Sequence, residues 1–384
     1  MKISLKRTPE QIELVKAMAS KNRDVAYEAQ VALAAFLGPV LAEVINNAPV
    51  LSNLFSPLSF NAEDNPSIPL DLYYDITDED YIQVYSQQVA GGLPTNQVLP
   101  TTSEMKITTY TLDSALSFDK RYAAKSRMDV VSKTFTRMAQ EILAKQEKTS
   151  GTLILGALAN ASTNSKKHVQ RANATGRFLL QDMNELLTLS RRVFTSFTGG
   201  TMPTGQAGMG VTDLLISPEI EEELRAMAYN PINTKAVLGN DVADIVDSGI
   251  TAPESVRAGL FNGAGVTTFY GVNLMVFNEF GVGRKFNKIF ETLANGISYT
   301  KADGTGSNAF ADSSKDELIL GINRNRESLI RAIAVDSETG SEFSLVADDQ
   351  YSIRQNKIGY FGSLEEGRMV LDNRALFGKI VRQS

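Results

Sequence analysis

Residues 61–200 carry two adjoining blocks of opposite charge, and the first is a long β-patterned excursion. Residues 61–119 hold ten acids and one base, Lys106; residues 120–200 hold fourteen bases and five acids. The excursion runs from Tyr81-Ile-Gln-Val-Tyr-Ser86 through a tip at Gly91-Gly92-Leu-Pro94 to a return strand, Met105-Lys-Ile-Thr-Thr-Tyr-Thr-Leu112. Its alternation predicts a hairpin, and its tip is too long for a tight turn. An isolated hairpin is marginal in water, so this one needs a partner surface. Charge runs are usually solvated faces. Two neighbouring blocks of opposite sign make docking between copies of the chain a competing explanation.

Composition bounds the rest. A chain of 384 residues, 43% hydrophobic and 21% charged, has room for two folded domains, or for one with large excursions. It has no cysteine, which excludes disulfides and thiolate metal sites. A net charge of −6 argues against nucleic-acid binding by the chain as a whole. No run of eighteen apolar residues occurs, so no membrane span is expected. Met1–Arg7 is basic but has no apolar stretch behind it, so no secretory signal is expected.

Local signals place the elements. Thr8-Pro9 opens a helix, with Thr as cap and Pro at the first helical position. The apolar stretch Val31–Ile45 contains Gly38-Pro39, which predicts a break or kink. Four prolines between Ala48 and Pro69 predict an extended connector with little regular structure. Ser126-Arg-Met-Asp129 matches a capping box. Met128, Val131, Phe135, Met138 and Ile142 follow at helical spacing, a spine about 35–50 Å long if it passes Gly151 and Gly156. Residues 162–177 read as a polar loop. Val211–Ile216 reads as a buried strand, and Ser217-Pro218-Glu219 as the start of a helix. Thr267–Phe277 reads as two strands about Tyr270-Gly271, and Leu329–Val335 as a strand.

Catalytic signals are weak. The single histidine, His168, falls in the polar stretch and reads as a solvated loop residue. Gly208-Met-Gly210, Gly281-Val-Gly283 and Gly378-Lys379 complete no phosphate-binding fingerprint and read as turns. Asp78-Glu79-Asp80 and the acids around Asp303 and Asp312 lack metal-site spacing. No catalytic residue, cofactor or metal is expected.

The order of parts carries a resemblance: N-terminal arm, Pro-rich connector, acidic hairpin, spine helix, then Asp213-Leu-Leu-Ile-Ser-Pro-Glu219, Tyr270-Gly-Val-Asn-Leu-Met-Val-Phe277 and the closing Ile353–Val381. The chain resembles the major capsid proteins of tailed double-stranded DNA bacteriophages, with the Hong Kong 97-type fold. The resemblance implies an α+β fold with an N-arm at 1–60 and an E-loop hairpin at 61–120. It implies a peripheral P domain with the spine helix at 121–175 and 330–384, and an axial A domain at 176–329. It further implies a structural subunit, not an enzyme, that assembles into the hexamers and pentamers of an icosahedral or prolate head. Implied partners are portal and scaffolding proteins and packaged double-stranded DNA bound without sequence specificity, with a cement protein left open. The implied location is the virion, assembled in the host cytoplasm. Within that frame Asp71, Asp75, Asp78, Glu79 and Asp80 dock on Lys120, Arg121, Lys125 and Arg127 of a neighbouring subunit. The alternatives are an encapsulin-like compartment shell, or a soluble hydrolase or binding protein with a convergent polar pocket.

Overall fold

The computed structural model describes residues 8–46, 51–61, 63–69, 104–161, 168–176, 178–192, 210–227, 268–269, 271–294, 298–301, 307–309, 313–336, 340–348 and 355–382. The chain opens with helices α1 (Pro9–Ala17) and α2 (Arg23–Asn46) and strands β1 (Ser56–Asn61), β2 (Ser67–Pro69), β3 (Glu104–Lys106) and β4 (Thr109–Asp119). Next come α3 (Lys120–Ala124), α4 (Met128–Ala161), β5 (Val169–Thr175), α5 (Leu180–Arg192), β6 (Asp213–Ile216) and α6 (Pro218–Met227). The chain continues with β7 (Thr268–Phe269), β8 (Val272–Val276), α7 (Lys285–Leu293), β9 (Ser298–Lys301), β10 (Ser307–Ala309) and β11 (Asp316–Ile322). It closes with β12 (Leu329–Val335), β13 (Ser344–Asp348), β14 (Lys357–Val370) and β15 (Leu376–Arg382). This is a mixed α+β protein. It divides into two compact units, Met1–Ser150 with Leu329–Met369, and Gly151–Ser328 with Val370–Ser384. The division falls inside α4.

The first unit is built on a five-stranded sheet, β1-β12-β14-β13, with β4 also paired to β14. β4 and β14 run antiparallel from Asp119↔Lys357 to Thr109↔Gly367. Met128, Val131, Phe135, Met138 and Ile142 of α4 are all buried, as the helical spacing predicts. They share a core with Leu33, Leu37 and Leu41 of α2 and Ile358, Tyr360 and Leu364 of β14. Tyr360 sits at its centre, edge-on to Phe135 at 5.1 Å and donating its hydroxyl to Met18 Sδ at 3.1 Å.

The second unit is built on an eight-stranded sheet, β10-β9-β5-β15-β11-β6-β8-β7. All four residues of β6 are buried, and it pairs in parallel with β8. Ser217 caps α6, its Oγ accepting from Ile220 N at 3.1 Å, with Pro218 first in the helix. Gly271, at φ +78°, makes the turn between β7 and β8. Met183, Leu186, Ile220 and Leu224 of the helices pack on Leu214, Ile216, Phe377 and Val381 of the sheet.

Several local expectations are overturned. α2 runs unbroken through Gly38-Pro39. Proline inside a helix costs about 3 kcal/mol, but Leu33, Leu37, Leu41 and Ile45 are buried on both sides of it, each contributing roughly 1.5–3 kcal/mol. The uninterrupted helix is long and apolar enough to cross a membrane by length and composition alone; its buried face is spent on the core of the first unit. The Pro-rich connector holds a 3-10 turn (Leu51–Leu54) and two strands, of which β1 pairs in parallel with β12. Pro57 is tolerated there because β1 is an edge strand. Ser126 caps nothing: it takes φ +52° at the corner before α4, and its hydroxyl is buried without a partner. Part of the polar stretch 162–177 is strand β5, and Gly378-Lys379 lies within β15. The predicted strand Tyr81–Ser86 lies outside the described residues.

α4 passes Gly151 and Gly156 unbroken, and the two sites differ. A Cβ at Gly151 would overlap the Phe286 ring, its Cζ at 2.7 Å, whereas at Gly156 the nearest atom is Leu293 Cδ1 at 3.9 Å. Phe286 is buried and edge-on to Phe280 at 5.2 Å, so its ring cannot swing away. Gly151→Ala should therefore destabilise by about 1–3 kcal/mol, and Gly156→Ala should stabilise by up to about 1 kcal/mol, both read by chemical denaturation.

Candidate assembly surface and its buried supports

The basic residues singled out in the sequence cluster at one corner of the first unit. Asp119, the last residue of β4, caps α3 by accepting from Arg121 N at 2.9 Å. Ala123 is buried and anchors the short helix. Lys125, Ser126 and Arg127 donate their backbone N–H groups to Arg121, Ala123 and Tyr122 carbonyls, closing the corner before α4. Arg121, Tyr122, Lys125 and Arg127 are thereby left exposed. Arg121 Nε lies 3.5 Å from Asp119, with its side chain 81% exposed. Such a pair contributes at most about 1 kcal/mol, so the guanidinium can be recruited elsewhere. The structure brings Lys120, Arg121, Lys125 and Arg127 together; Asp71, Asp75, Asp78, Glu79 and Asp80 lie outside the described residues.

A second feature is apolar. Val25, Tyr27, Val31 and Phe36 on α2 are between 42% and 54% exposed. On the sheet, Val346 of β13 and Phe361 of β14 are direct cross-strand partners, and both are exposed.

The first unit also holds a polar cluster that no sequence signal marked. Glu366, wholly buried in β14, accepts from Tyr110 Oη at 2.8 Å, Gln146 Nε2 at 3.0 Å, Arg331 Nε at 2.9 Å and Arg368 Nη2 at 3.0 Å. Arg368 also bonds Ser150 Oγ and lies over the Phe55 ring. Burial alone would raise the Glu366 pKa, but Arg368, Arg331 and the Tyr110 hydroxyl outweigh it and hold the carboxyl below its ordinary range. Burial, then the Glu366 charge, pushes the Tyr110 phenol up to about 12.

In the second unit, Arg171 of β5 pairs with Asp316 of β11 at 2.8 Å, both buried. Lys379 Nζ lies 2.5 Å from Glu185 and 3.5 Å from Asp182. His168 is not a solvated loop residue. It is 4% exposed, donates from Nδ1 to Leu376 O at 3.0 Å, and stacks on Phe377. Burial lowers its pKa. Among the described residues, no group of His, Asp and Glu is arranged to hold a metal ion. Gly281 and Gly283 form a turn, as expected, with φ +119° and +71°.

No protein-family model and no curated protein matches the chain. Among solved structures it is similar to the capsid of the cyanophage P-SCSP1u, at 14% identity and a TM-score of 0.48, covering 88% of this chain and 89% of that one. It is similar to the holo-SrpI encapsulin complex from Synechococcus elongatus PCC 7942, at 13% identity and a TM-score of 0.41, covering 87% and 88%. It is also similar to a virus-like particle from Pyrococcus furiosus, at 12% identity and a TM-score of 0.41, covering 90% and 97%.

The two buried titrating groups make separable predictions. Glu366→Gln leaves Arg331 and Arg368 buried without their counter-charge and should cost about 3–5 kcal/mol in urea denaturation at neutral pH. Because the folded pKa of Glu366 is depressed, its contribution is present above the unfolded value of about 4.3 and is lost as pH falls through the folded value. The glutamine variant should lack that acid dependence. His168 also has a depressed folded pKa, so its contribution is present above about pH 6.5 and declines below it. As the chain has one histidine, His168→Gln should flatten the stability profile between about pH 7 and 5.

Proposed function

We propose that the protein is the structural subunit of a tailed-phage head, with the Hong Kong 97-type fold. In this reading residues 1–60 form the N-arm, 61–120 the E-loop, 121–175 with 330–384 the peripheral domain, and 176–329 the axial domain. Copies assemble into hexamers and pentamers around double-stranded DNA, in the host cytoplasm, with separate portal and scaffolding proteins. The observation that carries the reading is α2: one face is packed into the core, while Val25 with Phe36 along one flank and Tyr27 with Val31 along the other stay uncovered. Large apolar side chains left uncovered along one helix fit contact with another molecule, and a shell gives every subunit such contacts many times over. An acidic chain with net charge −6 also avoids gripping packaged DNA tightly.

The docking of Asp71, Asp75, Asp78, Glu79 and Asp80 on the basic corner of the next subunit belongs to this proposal. Opposite charges steer association and set its register, and many weak contacts summed over a shell give stability while each stays reversible.

Negative-stain electron microscopy of the purified protein, alone and co-expressed with its scaffolding protein, tests the function. Closed shells or free hexamers and pentamers are expected, and a monomer under both conditions would overturn the reading. Shells enclosing an enzyme instead of DNA would favour a compartment. Reversing Arg121 and Arg127 to Glu tests the docking. The double variant should keep its fold, with stability changed by no more than about 0.5 kcal/mol per site, and should fail to close shells. Normal shells from it would remove the charge contact from the proposal.

A further inference from the structure

Lys379 is a fully buried lysine of the second unit. It lies in β15 between Phe377 and Val381, which share its face of the strand and belong to the apolar core of the second unit. Its side chain is fully buried, and its Nζ meets two carboxylates from one face of α5, Asp182 and Glu185. Nζ is 3.5 Å from Asp182 Oδ1 and 2.5 Å from Glu185 Oε2. The other Asp182 oxygen, Oδ2, accepts from the Leu179 N–H at 2.9 Å. An amine, a carboxyl carbon beside it, a proton acceptor on the amine and an N–H donor on the far carboxyl oxygen are the parts an amide-forming site needs.

We propose that Lys379 and Asp182 join in an intramolecular amide bond, with Glu185 as the proton acceptor. Glu185 takes a proton from the Lys379 ammonium, and the neutral amine attacks Cγ of the protonated Asp182 carboxyl. A C–N bond forms, and the developing oxyanion is held by the Leu179 N–H. Glu185 hands its proton to the departing hydroxyl and takes the proton shed by the nitrogen. The Cγ–O bond breaks and one water leaves. The products are a neutral amide and a protonated Glu185, so the proton that Lys379 brought is conserved and no co-reactant is needed. Burial raises the Asp182 pKa, which favours the protonated carboxyl that the attack requires. The reaction also removes the buried ionic charges of Lys379 and Glu185 from a low-dielectric site, where isolated charge is costly.

The inference concerns a single chain and is independent of the shell reading. Intact-mass spectrometry of the denatured full-length protein tests it. A mass lower by one water is expected, with a tryptic species linking the Asp182 and Lys379 peptides and no cleavage after Lys379. Glu185→Gln keeps both reacting groups and should give the full mass; its fold is checked by circular dichroism. Lys379→Arg removes the nucleophile and should migrate more slowly than the wild type on a denaturing gel. An unmodified wild-type mass, with separate Asp182 and Lys379 peptides, would overturn the proposal. Linkage persisting in Glu185→Gln would overturn the role given to Glu185.

Discussion

Glu366 is the point on which the first unit depends. A single buried carboxylate takes hydrogen bonds from β4, α4, β12 and its own strand β14. Each of those donors would be costly to bury without an acceptor, and the two guanidiniums more so. The cluster therefore acts as a register device. β4 and α4 are locked to the sheet at one position each, because only there can Tyr110, Gln146, Arg331 and Arg368 all find partners. The apolar packing of Phe135, Tyr360 and Met138 supplies area and attraction; it is less directional and would tolerate small shifts.

That fixed frame is what lets the surface be specific. The basic corner is short, and its three-dimensional form comes from backbone hydrogen bonds between Arg121 and Arg127 closing over the buried Ala123. β4 delivers the corner at the end of an eleven-position ladder with β14, so the cations sit at the tip of a rigid strand. α2 is held in the same way by its buried face, and its uncovered residues are carried on a stiff rod. In the proposed shell, contacts repeated over many copies would need such rigidity, since each mobile side chain or loop ordered at an interface costs association free energy.

The second unit uses charge differently. Arg171–Asp316 and Lys379 with Asp182 and Glu185 lie inside the layer between sheet and helices, and burial favours the neutral form of His168, although its Leu376 carbonyl partner pulls the other way. The motif Gly378-Lys379 reads as a turn in the sequence because it completes no phosphate-binding loop. Gly378 is required for another reason: a Cβ there would come within 3.0–3.1 Å of Val169 and Leu158. That crowding, by Val169 of β5 and Leu158 of α4, comes from the packing of helix on sheet and has no sequence pattern of its own.

Helical periodicity and two of the three predicted caps were determined by the sequence alone. Thr8-Pro9 and Ser217-Pro218 start the helices they predict, the apolar face of α4 is buried as its spacing requires, and β6 and β12 fall where their apolar runs lie. These signals are local, because a cap bonds within three residues and a helix repeats every 3.6. Only the tertiary structure decided that α2 survives Pro39, that β1 and β5 are strands, and that Glu366, Lys379 and His168 are buried. The partners of those three lie up to 256 residues away. Whether a charge is solvated or paired depends on distance and dielectric in space, and neither can be read from spacing along the chain.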